Sequence, residues 1–145
     1  MNRLTLFLFL YCVLTVRVLA SNHIDHVVLI NASEKQVPEF SSKEIRLLFL
    51  GYPVSKNNTL YVPLINHSSQ QVYDMFLQKV MYMTESRYRR RLVSRVFQDG
   101  GEQPEHFDKQ SELLSNLKSR PNTVTFVDLK KASQLDGVKI VQRLW

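Results

Sequence analysis

Residues 40–51 read FSSKEIRLLFLG, and most of these positions have a separate role in one short helix. Ser41 and Glu44 have the spacing of a capping box, in which each side chain accepts a hydrogen bond from a backbone N–H at the start of the helix. Gly51 can adopt the left-handed backbone conformation that ends a helix without a Cβ penalty. The apolar residues that recur on one helix face are Ile45, Leu48 and Phe49. The stretch therefore predicts a capped helix that ends before Gly51 and buries one face.

Predicted strands and helices alternate along the rest of the chain. The sequence predicts strands at about residues 26–31, 60–65, 123–127 and 138–141. It predicts further helices after Ser68 or Ser69, from Thr84 and Glu85, and at about residues 108–119. The first of these has an apolar stripe that we expect to be buried, formed by Val72, Tyr73, Phe76, Leu77, Val80 and Met81. A turn is predicted at Asn57-Asn58, and a polar loop from Gly100 through Pro104. Pro63 lacks an N–H, which indicates an edge position or an irregularity in its strand. This alternation predicts an α/β domain with a small mixed sheet flanked by helices.

The first 20 residues have the composition of a secretory signal peptide. Arg3 gives a positive start, residues 4–16 are almost wholly apolar, and the segment ends in Val18-Leu19-Ala20. The apolar run is short for a membrane span, but Arg17 is unusual beside a cleavage site, and an uncleaved anchor stays as the alternative. We therefore predict a signal peptide at residues 1–20 and a single exported domain at residues 21–145.

Composition excludes several classes of function for that domain. Cys12 is the only cysteine, so a chain that begins at Ser21 has no disulfide, thiolate metal site or cysteine nucleophile. The full chain has a formal net charge of +6, and without Arg3 and Arg17 the predicted domain has 17 basic and 13 acidic residues, or +4. This charge permits nucleic-acid binding, but export argues against it. The sequence contains no nucleophile elbow, phosphate-cradling glycine loop or convincing acid–base pair. We expect a protein that is not an enzyme and that uses no cofactor.

Five segments carry a family resemblance. They are HVVLIN at 26–31, FSSKEIRLLFLG at 40–51, RVFQDGG at 95–101, Pro104, and LLSNLKSRPNTVTFV at 113–127. In this order and spacing they resemble the substrate-binding proteins of phosphate ABC transporters, and the likeness covers most of the chain after residue 20. It implies one lobe of a type II periplasmic binding protein, a periplasmic location, and binding of phosphate or another small oxyanion. Members of that family have two lobes, whereas this length supplies about one.

The best candidate ligand site is the junction of a predicted strand and helix at Asn66-His67-Ser68-Ser69. A helix N-terminus offers unpaired N–H groups and a partial positive charge to an anion, although the same residues also suit a plain helix cap. The resembled family has an arginine and a Ser-Gly-Thr run at this junction, and this chain has neither the arginine nor the glycine. With one lobe, the other wall of the site would have to come from a second copy or a partner protein.

A second candidate site is the predicted helix that begins near Thr84. Its docking residues are Arg87, Arg90, Arg91 and Arg95. They form either an ordinary solvated face or a patch for an anionic partner, lipid headgroup or polyphosphate. The alternative function is therefore a periplasmic interaction module that has lost ligand binding and docks a protein or membrane partner through this helix.

The N-terminus of the predicted mature chain offers one metal hypothesis. Ser21, Asn22 and His23 would place a free amine, two amide nitrogens and an imidazole around Cu(II) or Ni(II) in a square plane. Chance placement of the histidine is the alternative. The four histidines of the chain, His23, His26, His67 and His106, are too scattered in sequence to predict a zinc site.

Overall fold

The computed structural model describes residues 23–145. The predicted signal peptide at 1–20, together with Ser21 and Asn22, lies outside the described residues. The strands are β1 (Val27–Asn31), β2 (Val54–Lys56), β3 (Thr59–Asn66), β4 (Glu105–Phe107), β5 (Thr123–Asp128) and β6 (Lys139–Arg143). The helices are α1 (Ser42–Phe49), α2 (Gln70–Phe76) with a π-helical turn at Leu77–Met81, α3 (Glu85–Asp99), α4 (Gln110–Ser119) and α5 (Leu129–Ala132). Within residues 23–145, none of these helices has the length and apolar character needed to cross a membrane.

One mixed sheet organises the domain. Its order is β2-β3-β5-β1-β6, and β4 pairs with β3 beside this path. β3 is parallel to both β4 and β5, whereas the pairs β1–β5, β1–β6 and β2–β3 are antiparallel. The predicted α/β fold with a mixed sheet flanked by helices is therefore confirmed.

β1 lies at the centre of three layers, because both of its faces are buried. Val27 and Leu29 pack with α1, α2 and the π-helical turn, whereas Val28 and Ile30 pack with α4 and α5. All five residues of β1 are buried, as expected for a strand covered by helices on both sides. The helices on both faces of the sheet therefore pack against the same strand, β1.

The helix predicted from residues 40–51 forms as expected. The capping box is present: Ser41 Oγ accepts from the Glu44 N–H, and the Glu44 carboxylate accepts from the Ser41 N–H at 2.7 Å. At the other end, Gly51 has a φ of +81°. The Gly51 N–H donates to the Leu48 carbonyl at 2.8 Å, and the Tyr52 N–H donates to the Leu47 carbonyl at 3.0 Å. These two bonds form a Schellman motif, so local sequence determines both ends of α1.

Pro63 occupies an irregular position in β3 rather than an edge strand. β2 pairs with Thr59–Tyr61, and β4 pairs with Leu64–Asn66 on the same side of β3. Because the Val62 N–H donates to the Asn122 carbonyl on the other side, Pro63 faces the gap between β2 and β4. The missing N–H therefore costs no ladder hydrogen bond.

Three elements of the structure are not predicted by the sequence. β2 and β3 form a hairpin through Asn57 and Asn58, whose φ angles of 49° and 60° match a type I′ turn. The sequence predicts that turn but not β2, which has only three residues. β4 follows directly after the polar loop predicted through Pro104, and two of its three residues are exposed. The single-turn helix α5 is also not predicted.

Candidate functional site

The carboxyl ends of β3 and β4 meet beside α3 and enclose a cavity of about 450 Å³. The strands are parallel, and Asn66 lies opposite Phe107 in the register. His67 therefore follows the end of β3, and its N–H donates to the Phe107 carbonyl at 2.9 Å. This edge of a parallel pair is where open α/β sheets place their ligands.

The predicted junction residues are together, and most of their polar atoms already have partners. Asn66 is buried, and its Nδ2 donates to the Phe126 carbonyl at 2.9 Å. Asn66 Oδ1 accepts from the Ser68 N–H at 3.0 Å and from the Ser68 hydroxyl at 2.6 Å. Ser69 is the N-cap of α2, and its hydroxyl accepts from the Val72 N–H at 3.5 Å. Of the four junction side chains, only that of His67 lines the cavity.

His67 lies among aromatic rings and one carboxylate. Its ring centroid is 4.2 Å from that of Tyr73 and 5.5 Å from that of His106. Its Nδ1 is 3.8 Å from Asp108 Oδ1, and 24% of its side chain is exposed. Burial lowers the pKa of His67 below its ordinary value, His106 lowers this pKa further, and Asp108 raises it. The fold therefore favours the neutral form of His67 more strongly than solvent would.

Arg89 supplies the permanent positive charge of the cavity. It comes from α3, and its Nη2 donates to Glu85 Oε1 at 2.7 Å. The Arg89 side chain is 70% exposed, so the guanidinium can exchange this partner for another anion at small cost. The Asp108 side chain is 79% exposed, so solvent screens its charge. The cavity therefore combines one arginine and two histidines with one exposed carboxylate.

The predicted arginine set divides between two environments. Arg87, Arg90 and Arg91 are exposed on α3. Arg95 is half-buried: its guanidinium lies 5.3 Å from the Tyr52 ring centroid, and its Nη1 donates to the Glu102 carbonyl at 3.2 Å. Arg95 therefore holds the loop after α3, while the other three arginines face solvent.

Of the predicted copper or nickel site, only His23 belongs to the described residues. It is exposed, and its Nε2 lies 3.9 Å from Asp25 Oδ1. Within residues 23–145, no group of three or more His, Cys, Asp or Glu side chains is placed to hold a metal ion. The hypothesis on Ser21, Asn22 and His23 stays a prediction.

The sequence alone does not associate His106, Arg89 and Tyr73 with the junction. His106 comes near His67 only because β4 pairs in parallel with β3, and three residues of exposed strand give no periodic signal. Tyr73 belonged to the predicted apolar stripe of α2, and Arg89 to the basic helix. Had β4 been predicted, a histidine directly after β3 and a second one within the neighbouring parallel strand would have been the signal.

Comparisons with known proteins support the fold. The chain matches no protein-family model and no curated protein. Its structure is similar to the crystal structure of PstS from Borrelia burgdorferi, with a TM-score of 0.54 and 12% sequence identity. The similarity covers 81% of this chain and 46% of that chain, so this chain spans about half the length of its structural neighbour. The predicted resemblance to a domain of a periplasmic binding protein is thus confirmed as a likeness of fold.

Proposed function

We propose that the chain binds a small oxyanion of the phosphate or sulfate class in the cavity beside α3, without catalysing a reaction. The observation that carries the proposal is the convergence of His67, Arg89 and His106 from three separate elements on one cavity. Guanidinium and imidazolium groups donate charge-assisted hydrogen bonds, which are the strong contacts of oxyanion sites. The fold shared with PstS and the predicted export support the same function in the periplasm.

An anion would relieve the repulsion that the two histidines exert on each other. Their rings are 5.5 Å apart, and His106 lowers the pKa of His67. A divalent anion between the rings would attract both protons and raise the pKa of His67. Asn66, Ser68 and Ser69 contribute indirectly, because their hydrogen bonds hold the turn from which His67 projects.

The affinity of the isolated chain should be weak. One lobe covers an oxyanion on one side, so water screens the bound charge from the other side. Arg89 must also exchange its bond to Glu85. We expect a dissociation constant of about 0.1–1 mM, or a binding free energy near −4 to −5 kcal/mol. A second copy or a partner protein that covers the open side would raise the affinity.

Sulfate titration tests the proposal, because the charge of sulfate stays constant between about pH 5 and pH 8 while histidine titrates. NMR signals of the His67 ring should report a pKa that rises when sulfate is added. Calorimetry should show tighter binding as the pH falls below about 6.5, the ordinary pKa of histidine. An unchanged His67 pKa in saturating sulfate would contradict the proposal.

Matched variants locate the site. Arg89→Gln and His67→Gln should each weaken sulfate binding about tenfold at mildly acidic pH. Arg90→Gln, at the next position of the same helix but outside the cavity, should bind like the parent protein. Ser68→Ala/Ser69→Ala should weaken binding less, through the turn. Full affinity in the first two variants with a loss only in the serine variant would move the site to the first turn of α2.

A further inference from the structure

A groove of about 340 Å³ lies between α1 and α3, on the side of α3 away from the cavity. Lys43 and Arg46 line it from α1, and Arg87 and Arg91 line it from α3. No carboxylate lines this groove. Within residues 23–145, none of the four cations forms an ion pair with an acidic side chain, although five other Lys or Arg residues do. The groove therefore carries uncompensated positive charge.

Helix geometry makes each wall a continuous basic edge. Lys43 and Arg46 are three residues apart, and Arg87 and Arg91 are four apart, so each pair shares one face of its helix. Arg46 and Tyr82 also border a smaller depression of about 60 Å³, which Lys79 and Arg143 line without any carboxylate. The basic surface thus extends beyond the groove in one direction.

The floor of the groove is apolar and lies below the basic walls. Its side chains are those of Leu47, Leu50, Met81 and Met83. Leu50 is 8% exposed and Met81 is 1% exposed, so both lie beneath the surface that the cations form. Methionine side chains adapt to irregular apolar partners. Tyr82 stands at the rim, 70% exposed, with the Arg46 guanidinium 5.8 Å from its ring centroid.

We propose that this groove binds an acidic amphipathic peptide segment of a partner protein. Carboxylates on the two flanks of the segment would meet the two basic walls, and apolar side chains between them would reach the floor. A peptide in a groove between two helices is a common mode of recognition, with apolar anchors spaced along one face. Charge complementarity would determine the orientation and the rate of association.

The shape of the groove favours a peptide over a bilayer surface. A membrane-binding helix projects apolar side chains outward so that they can enter the lipid. Here Leu50 and Met81 are buried at the floor of the groove, where a flat surface cannot reach them. Charge alone would also permit nucleic acid, but a phosphate backbone makes no use of an apolar floor. A peptide with both charged and apolar faces uses the walls and the floor together.

Fluorescence anisotropy with a labelled synthetic peptide tests the proposal. The peptide spans about three helical turns, with leucine on one face and glutamate on both flanks, in the length range of helix-in-groove ligands. We expect saturable binding that weakens as salt is raised, because salt screens exposed charges. Arg87→Gln/Arg91→Gln and Lys43→Gln/Arg46→Gln remove the two walls separately, and each should lose about tenfold in affinity. Circular dichroism checks that both variants fold.

Two controls and two competing ligands complete the experiment. Arg90→Gln removes an exposed charge from the same helix outside the groove and should bind within about twofold of the parent protein. A peptide with glutamine in place of glutamate, and one with leucine replaced by serine, should each bind more weakly. Equal loss in the Arg90 variant, or equal binding of either altered peptide, would overturn the proposal. Binding of anionic lipid vesicles or single-stranded DNA through the same four cations, with no binding of the peptide, would also overturn the proposal.

Discussion

Phe49 should be the most costly single truncation in α1. Its side chain is fully buried at the end of the helix. The ring packs edge-on against Phe76 at 4.8 Å between centroids and against Phe126 at 5.5 Å. Phe76 and Phe126 in turn stack on each other at 3.8 Å with nearly parallel planes. Phe49→Ala would therefore leave a cavity in a cluster that joins α1, α2 and β5.

The expected loss follows from the burial and the two aromatic contacts. A buried phenylalanine replaced by alanine costs about 3–5 kcal/mol of unfolding free energy. Edge-to-face aromatic pairs add about 0.5–1.5 kcal/mol each beyond the effect of the buried area. The loss for Phe49→Ala should therefore lie near the upper end of the range for a buried phenylalanine, at about 4–5 kcal/mol. With a urea m-value of about 2 kcal/mol per molar, the midpoint should fall by about 2 M.

Phe97 provides a matched control within the same chain. Its side chain is 85% exposed on α3, so Phe97→Ala should change the unfolding free energy by no more than about 0.5 kcal/mol. Urea denaturation followed by circular dichroism measures both variants. Equal midpoints for Phe49→Ala and Phe97→Ala would refute the assignment of Phe49 to the core.

Three further predictions concern stability. Ser41→Ala should lower the unfolding free energy by about 1 kcal/mol in a urea melt, because it removes the capping box. Ser42→Ala, in the first helical turn, leaves the capping box in place and serves as the control. Tyr88→Phe should cost about 1 kcal/mol by thermal or urea unfolding, because the Tyr88 hydroxyl donates to the buried Phe49 carbonyl at 2.5 Å; no loss would contradict that bond. Since burial lowers the pKa of His67, the unfolded chain binds its proton at higher pH than the folded chain. Stability should therefore be complete above about pH 6.5 and decline as the pH falls below it, and urea melts of His67→Gln should show a smaller decline.

Local sequence was enough to predict α1 and the buried stripe of α2. The capping box, the left-handed Gly51 and the apolar spacing all act within a few residues, and the structure shows each of them. The predicted stripe of α2 and its π-helical extension is buried; its residues are Val72, Tyr73, Phe76, Leu77, Val80 and Met81. Helix ends and apolar faces are predictable because their causes lie close together in sequence.

Strand pairing and the cavity could not be predicted in this way. β4 has no periodic pattern, and its place beside β3 depends on a contact between residues about forty positions apart. The proximity of His67 and His106 follows from that contact alone. The two basic walls of the groove likewise come from α1 and α3, so the sequence predicted the arginines of one wall but not the lysine and arginine of the other.

The geometry of α3 makes the two proposed sites independent of each other. Arg89 lines the cavity on one side of the helix, and Arg87 and Arg91 line the groove on the other. Tyr88 and Leu92 are buried between these sides and hold the helix in place. Because exposed charges separated by a helix and by solvent are screened from each other, sulfate should weaken peptide binding no more than sodium chloride does at the same ionic strength. A protein that combines both sites could therefore bind an oxyanion on one face of α3 while a partner protein occupies the other.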